Sequence, residues 1–147
     1  MKIIVDGDAC PGISIIKNIA KEYELELLVY CDINHFITLD YGEVKVVDSG
    51  FQSVDMKVAN QCSKGDIVIS QDYGVAAICL GKKADVLSPK GYIYTNNNIG
   101  SMLEQRYLSQ KIRRSGGKTP NAKKRSVEDD KRLQKNLIFL VRKNIIE

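Results

Sequence analysis

Two kinds of apolar spacing alternate along this chain. Ile3-Ile4-Val5, Leu25 to Cys31, Val44-Lys45-Val46-Val47, Ile67-Val68-Ile69 and Ala84 to Leu87 are short, nearly unbroken runs rich in β-branched residues. That is the pattern of strands, with the first, second and fourth runs buried on both faces. Between the runs the spacing becomes helical. Ile15, Ile16, Ile19, Ala20 and Tyr23 fall at i, i+1, i+4, i+5 and i+8, with Lys17, Asn18, Lys21 and Glu22 on the other side. A second stripe, Val54, Val58, Ala59 and Cys62, stands behind Ser53, which is placed to cap it, and a third runs through Val75, Ala76, Ala77 and Leu80. Asn98 is placed to cap a helix from Ile99 to about Arg113, with Met102, Leu103 and Tyr107 inward. Ser126, with Asp129 three residues on, opens a last helix carrying Leu133, Leu137, Leu140, Val141 and Asn144. Residues 32–42 are polar and irregular, and Tyr92-Ile93-Tyr94 suits a ribbon or a sheet edge.

Strands that alternate with helices predict an α/β domain with a mainly parallel sheet and right-handed crossovers. The 147 residues make one such domain, with a basic Gly/Pro-containing loop near 115–125 and a C-terminal helix over 126–145. No apolar run reaches transmembrane length and Asp6 interrupts a signal-peptide pattern, so a cytoplasmic protein with no membrane partner is expected. The four cysteines, Cys10, Cys31, Cys62 and Cys79, lie far apart without a CxxC pair and with a single histidine, which argues against structural zinc and for reduced, buried thiols. Cys10 differs in lying at a helix start, where a thiolate is favoured, beside acids that oppose it. His35 sits in a polar loop, where packing is the ordinary role and a general base the chemical alternative.

The chemistry gathers where strands end. Asp6 and Asp8 flank Gly7 immediately after the first run, at the point where a strand hands over to a helix. In an open parallel sheet this is the carboxyl edge, where ligands bind. Two adjacent carboxylates repel unless a cation joins them, and hard Mg²⁺ or Mn²⁺ takes carboxylate oxygens. If the first and fourth strands are neighbours, Asp6, Asp8 and Asp72 converge as metal ligands; taken alone, Asp72 is also a good helix cap. Asp66 precedes its strand and belongs to the opposite edge, in a turn. The net charge is +4, yet Arg106, Lys111, Arg113, Arg114, Lys118, Lys123, Lys124 and Arg125 form a stretch without acids. Such a tract suits either a solvated surface or sequence-independent contact with phosphates.

The segments Val5-Asp6-Gly7-Asp8-Ala9-Cys10-Pro11, Gly65 to Ala76, Tyr94-Thr95 through Asn98-Ile99, and Arg113-Arg114-Ser115-Gly116 resemble the YaiI/YqxD family of uncharacterised bacterial proteins over nearly the whole chain. That family is similar to PIN-like nucleases, which implies a three-layer sandwich with strand order 3-2-1-4-5 and an acidic Mg²⁺/Mn²⁺ site for phosphodiester hydrolysis. Carried over, the resemblance implies Asp6, Asp8, Asp55 and Asp72 as catalytic acids, of which Asp6, Asp8 and Asp72 hold metal. Ser70, Gln71, Arg106, Arg113, Arg114 and Lys118 would contact substrate, expected to be RNA. The further acid of PIN nucleases has no clear counterpart, because Asp85 lies within or before its strand.

Two other readings stay open. Asp6-Gly7-Asp8 resembles the DxD of haloacid-dehalogenase phosphohydrolases, with Asp6 as nucleophile, Asp8 as acid/base and Ser70 in the hydroxyl position. The acid pair this would need, Asp129-Asp130, falls at a helix start. The third reading is a non-catalytic nucleic-acid-binding module with a vestigial metal site.

Overall fold

The protein is described from a computed structural model at residues 1–7, 10–32, 37–47, 54–101, 104, 108, 111, 116 and 124–146. The strands are β1 (Lys2–Asp6), β2 (Glu26–Asp32), β3 (Glu43–Val47), β4 (Ile67–Ile69), β5 (Asp85–Leu87) and β6 (Ile93–Tyr94). The helices are α1 (Ile13–Glu22), α2 (Val54–Gln61), α3 (Tyr73–Gly81) and α4 (Val127–Ile146). Residues 99–101, 104, 108 and 111 are also helical.

The sheet order is β3-β2-β1-β4-β5-β6. Every pairing from β3 to β5 is parallel, and β6 is added antiparallel to β5 at one edge. The expected α/β sandwich with order 3-2-1-4-5 is therefore present, extended by the Tyr92–Tyr94 ribbon. Alternate residues of each strand enter different cores. Ile4, Leu28, Val68 and Val86 pack with Val54, Val58, Val75 and Cys79 of α2 and α3. Ile3, Val5, Leu27, Val29, Ile67, Ile69 and Leu87 pack with Ile16 and Ile19 of α1 and Leu133, Leu137 and Leu140 of α4. Helices thus cover both faces. From β1 the chain runs outward to β2 and β3, then crosses back through α2 to β4 on the other side of β1, so strand order reverses between β1 and β4.

The helix α4 spans the sheet from edge to edge. Gly91, at φ +90°, ends the Ser88–Gly91 turn between β5 and β6, and a Cβ there would meet the backbone of Arg132 and Leu133. This close approach lets three successive turn carbonyls accept from the C-terminal segment: Pro89 from Arg125 Nη1 at 2.7 Å, Lys90 from Arg132 Nη1 at 3.1 Å and Gly91 from Asn136 Nδ2 at 2.6 Å. At the far end Asn144 Nδ2 donates to Asp85 at 2.9 Å and Lys143 pairs with the same carboxylate at 3.4 Å. Asp85 therefore begins β5 at the amino edge, away from the ends of β1 and β4. The expected Ser126–Asp129 capping box opens α4, with Ser126 N–H donating to Asp129 Oδ2 at 3.0 Å and Asp129 N–H to Ser126 Oγ at 3.3 Å.

Two expectations need correction. Asn98 does not cap the following helix; Thr95 does. Asn98 N–H donates to Thr95 Oγ1 at 3.2 Å and Thr95 N–H donates to Asn98 Oδ1 at 2.9 Å, a reciprocal box with Thr95 at its head. The 32–42 connection is also less polar than it looked, since Ile37, Leu39 and Tyr41 pack on the α1–α4 core and Tyr41 Oη donates to Leu25 O at 2.7 Å. Ser53, Met102, Leu103, Tyr107 and His35 lie outside the described residues. Among those described, no helix is long and apolar enough to cross a membrane.

Asp66 ties the amino ends of β1 and β4 together. Its carboxylate accepts from Lys2 N–H at 3.1 Å, Lys2 Nζ at 2.8 Å, Ser63 N–H at 2.9 Å and Ser63 Oγ at 3.1 Å. Burial pushes its pKa up, but the Lys2 ammonium and the two backbone donors overcome that and hold it below the ordinary carboxylate value. A depressed folded pKa stabilises the fold above the unfolded value of about 4 and ceases to do so as pH falls through the folded value. Asp66→Asn should cost about 1.5–3 kcal/mol at pH 7, in keeping with charge-assisted hydrogen bonds. In urea denaturation the gap from wild type should close as pH falls below about 4; a gap independent of pH would refute this role.

Candidate functional site

Asp6 closes β1 and shares the parity of Ile4, so it faces the α2–α3 layer. Ser70 follows β4 with the parity of Val68 and faces the same way. The Val5–Ile69 register brings the two side by side at the reversal of strand order. Ser70 is fully buried; its Oγ donates to Asp6 Oδ2 at 3.3 Å and accepts from Asp72 N–H at 3.0 Å. Asp72 caps α3, its Oδ1 accepting from Val75 N–H at 3.1 Å, and this cap uses one carboxylate oxygen. Asp72 thus has the expected capping role, and its contact toward Asp6 runs through its backbone N–H and Ser70. Gln71 is exposed between Ser70 and Asp72. Asp55 lies in the first turn of α2, in the layer that Asp6 and Ser70 face.

Gly7 permits this strand ending. A Cβ there would stand 2.9 Å from Tyr30 O, Val29 Cγ1 and Ile37 Cδ1, so only glycine lets the chain pass under β2 directly after Asp6. Asp8, Arg106, Arg113, Arg114 and Lys118 lie outside the described residues. Among those described, no three His, Cys, Asp or Glu side chains converge on one point that could hold a metal ion.

Beside the acids a cavity of about 370 Å³ opens along the ends of β4, β5 and β6. Gln71, Tyr73, Lys90, Tyr92, Tyr94 and Arg125 contribute to its lining. Tyr73 and Tyr94 meet edge to face, centroids 5.7 Å apart, while the Arg132 guanidinium lies over the Tyr92 ring at 4.3 Å. Arg125 Nε donates to Asp130 at 2.8 Å, and its Nη2 is buried against Gly12 with no hydrogen-bond partner among the described residues. Sequence reasoning missed this cavity. Its one usable signal was the i, i+2 spacing of Tyr92 and Tyr94 at the sheet edge.

Cys10 lies between the two parts of the site. Burial is the main influence on its thiol and pushes it up to about 11; the Gly12 N–H and Arg125 oppose this and Asp6 adds to it. The thiol therefore stays protonated near neutral pH, and among the described residues Asp6, Ser70 and Asp72 offer hard oxygens. That donor set fits Mg²⁺ or Mn²⁺ and suits softer metals poorly. Asp129 and Asp130, the pair a phosphohydrolase would need, are engaged by Ser126 and Arg132 and by Arg125.

Residues 4–143 match the family model described as uncharacterized BCR, YaiI/YqxD family. The chain belongs to the YaiI/YqxD family. It is 59% identical to a UPF0178 protein of Clostridium tetani over 143 residues, covering 97% of this chain and 98% of the relative. A UPF0178 protein of Clostridium kluyveri is 57% identical, covering 96% and 93%, and one of Ruminiclostridium cellulolyticum 45%, covering 97% and 93%. No solved structure matches.

Two outcomes follow from the geometry. Ser70→Ala leaves Asp72 N–H without its acceptor and should lower stability by about 1–3 kcal/mol in chemical denaturation; an unchanged midpoint would show that the hydroxyl bridge contributes nothing. Iodoacetamide at pH 8 should leave Cys10 of the native protein unmodified by mass spectrometry, with labelling rising as pH approaches about 11. Rapid labelling at pH 8 would contradict the protonated thiol.

Proposed function

We propose that the carboxyl edge binds Mg²⁺ or Mn²⁺ and hydrolyses phosphodiester bonds, with RNA as substrate. The observation that carries this is the bridge in which one buried hydroxyl, Ser70 Oγ, links the Asp6 carboxylate to the backbone of Asp72 where strand order reverses. Asp6 and Asp72, joined by Asp8, would hold the cation, which when bound supplies Lewis-acid stabilisation and a more acidic water. Ser70 fixes the direction of the Asp6 carboxylate, and the Val75 N–H fixes that of Asp72. Asp55, at the start of α2, adds negative charge to the same layer and would orient a water. Gln71 offers an amide to the phosphate being cleaved. Arg125, the last residue of the basic tract, lies at this same edge and would contribute to sequence-independent contact with a nucleic-acid backbone. The resemblance of the family to PIN-like nucleases agrees with this reading.

Calorimetric titration of Mn²⁺ and Mg²⁺, paired with cleavage of an end-labelled RNA, tests it. Wild type should bind metal and cleave only with metal present, and Asp6→Asn should lose at least about tenfold in affinity together with cleavage. Cleavage that survives chelator, or that Asp6→Asn leaves unchanged, would refute the site. RNA binding with neither metal binding nor cleavage would support the non-catalytic module instead, and a phosphate found covalently on Asp6 would select the phosphohydrolase.

A further inference from the structure

The cavity beside the acids has features that the hydrolytic reading does not use. Its volume of about 370 Å³ suits a ligand of nucleotide size rather than an inorganic ion. Its aromatic wall is held in place from behind, since Arg132 clamps Tyr92 and Tyr94 is buried edge-on against Tyr73. Rings fixed in this way lose little entropy when a flat ligand stacks on them. Tyr92 is half exposed, which leaves ring surface for a ligand.

The opposite chemistry stands on the other wall. Arg125 is held by Asp130 and by the Pro89 carbonyl, yet its Nη2 lies against Gly12 without an acceptor among the described residues. Arg125 lines the cavity, so its guanidinium charge favours an anionic group seated beside Pro11. Lys90 lines the same space. Ser88 Oγ accepts from Tyr92 N–H at 3.0 Å, which leaves its own proton to donate. A flat aromatic body with an anionic group attached answers both walls. Gln71 makes the connection to the acids, because it lines the cavity while its chain neighbours Ser70 and Asp72 form the bridge to Asp6.

We propose that this cavity is the subsite for one nucleotide of a single-stranded RNA, its base stacked against Tyr92 and Tyr73 and its phosphate held by Arg125 and Lys90. The proposal deepens the hydrolytic reading and rests on it for the nature of the strand: a nucleotide seated here places the adjoining phosphodiester next to Gln71, at the acid edge. Recognition by stacking and charge makes the subsite tolerant of base identity.

The test uses the full chain in EDTA, so that no cation takes part. Adenosine 5′-monophosphate and adenosine are titrated separately into wild type, Tyr92→Leu, Arg125→Gln, Lys90→Gln and Asp6→Asn, with chemical shifts as the readout. Wild type should bind the nucleotide, Tyr92→Leu should weaken both ligands about tenfold, and Asp6→Asn should change neither. Arg125→Gln should weaken the nucleotide but not adenosine. Lys90→Gln provides the same comparison from the surface turn should the Arg125 variant fail to fold. A tetraribonucleotide should displace the mononucleotide at lower concentration than unlabelled mononucleotide does. No nucleotide binding at millimolar concentration, equal competition by inorganic phosphate, or indifference to Tyr92→Leu would overturn the subsite. Failure of the tetraribonucleotide to compete would assign the cavity to free nucleotides and overturn the strand. Loss of cleavage in Asp6→Asn with nucleotide binding intact is the expected pattern, and absence of metal binding refutes the hydrolytic reading without touching this titration.

Discussion

A strand paired on both edges and covered on both faces leaves room for chemistry only at its ends. Ile3, Ile4 and Val5 have no solvent exposure, and their backbone is committed to β2 on one side and β4 on the other. A polar side chain among them would be buried without water, at a cost of several kcal/mol unless it found a partner. The two ends of the sheet are then used differently. At the amino edge Asp66 and Asp85 meet lysines, Lys2 and Lys143, and the pairs fasten strands and helix together. At the carboxyl edge the bonds described for Asp6 and Asp72 include neutral donors, a hydroxyl and a backbone N–H, which orient each carboxylate.

The helix α4 depends on the same constraint from the other side. Ile3, Val5, Ile67, Ile69 and Leu87 present one continuous apolar face, and α1 covers only part of it; Leu133, Leu137, Leu140 and Val141 cover the rest. Burial of that stripe sets where α4 lies, and its polar residues then set how far along it sits. Arg132 and Asn136 hold the β5–β6 turn at one end and Asn144 holds Asp85 at the other. Gly91 makes the close approach possible, because any side chain there would collide with helix backbone. Arg125, just ahead of α4, is carried to the carboxyl edge as a consequence.

Much of this was legible in the residues because it is local. Unbroken β-branched runs marked the strands, Ser126 and Asp129 marked the start of α4, and Asp66 and Asp85 preceded their strands and so fell at the amino edge. Asp6 and Ser70 could be placed together once β1 and β4 were taken as neighbours. The cavity was not legible. Pro11, Gln71, Tyr92 and Arg125 come from distant parts of the chain, and only the docking of α4 against the turn brings the last of them in. Thr95 and Asn98 show a subtler failure: either can cap, and the choice depends on the bond from Asn98 Nδ2 to Ile93 O at 3.1 Å, which turns the amide back toward β6.

The two parts of the edge are therefore built by different interactions. The acid bridge needs the β1–β4 register and little else, since Ser70 and Asp72 are two residues apart and Asp6 is one step beyond the last register pair. The cavity needs α4 seated on the opposite face, because Arg125 and the turn it grips supply the cationic wall. Yet Cys10 responds to both Asp6 and Arg125, so the two parts lie close enough to act on one group. Asp130 steadies Arg125 on one side while Ser70 steadies Asp6 on the other, so each half of the edge is held by its own partner, and on the proposed reading a ligand with phosphate and base would span the two.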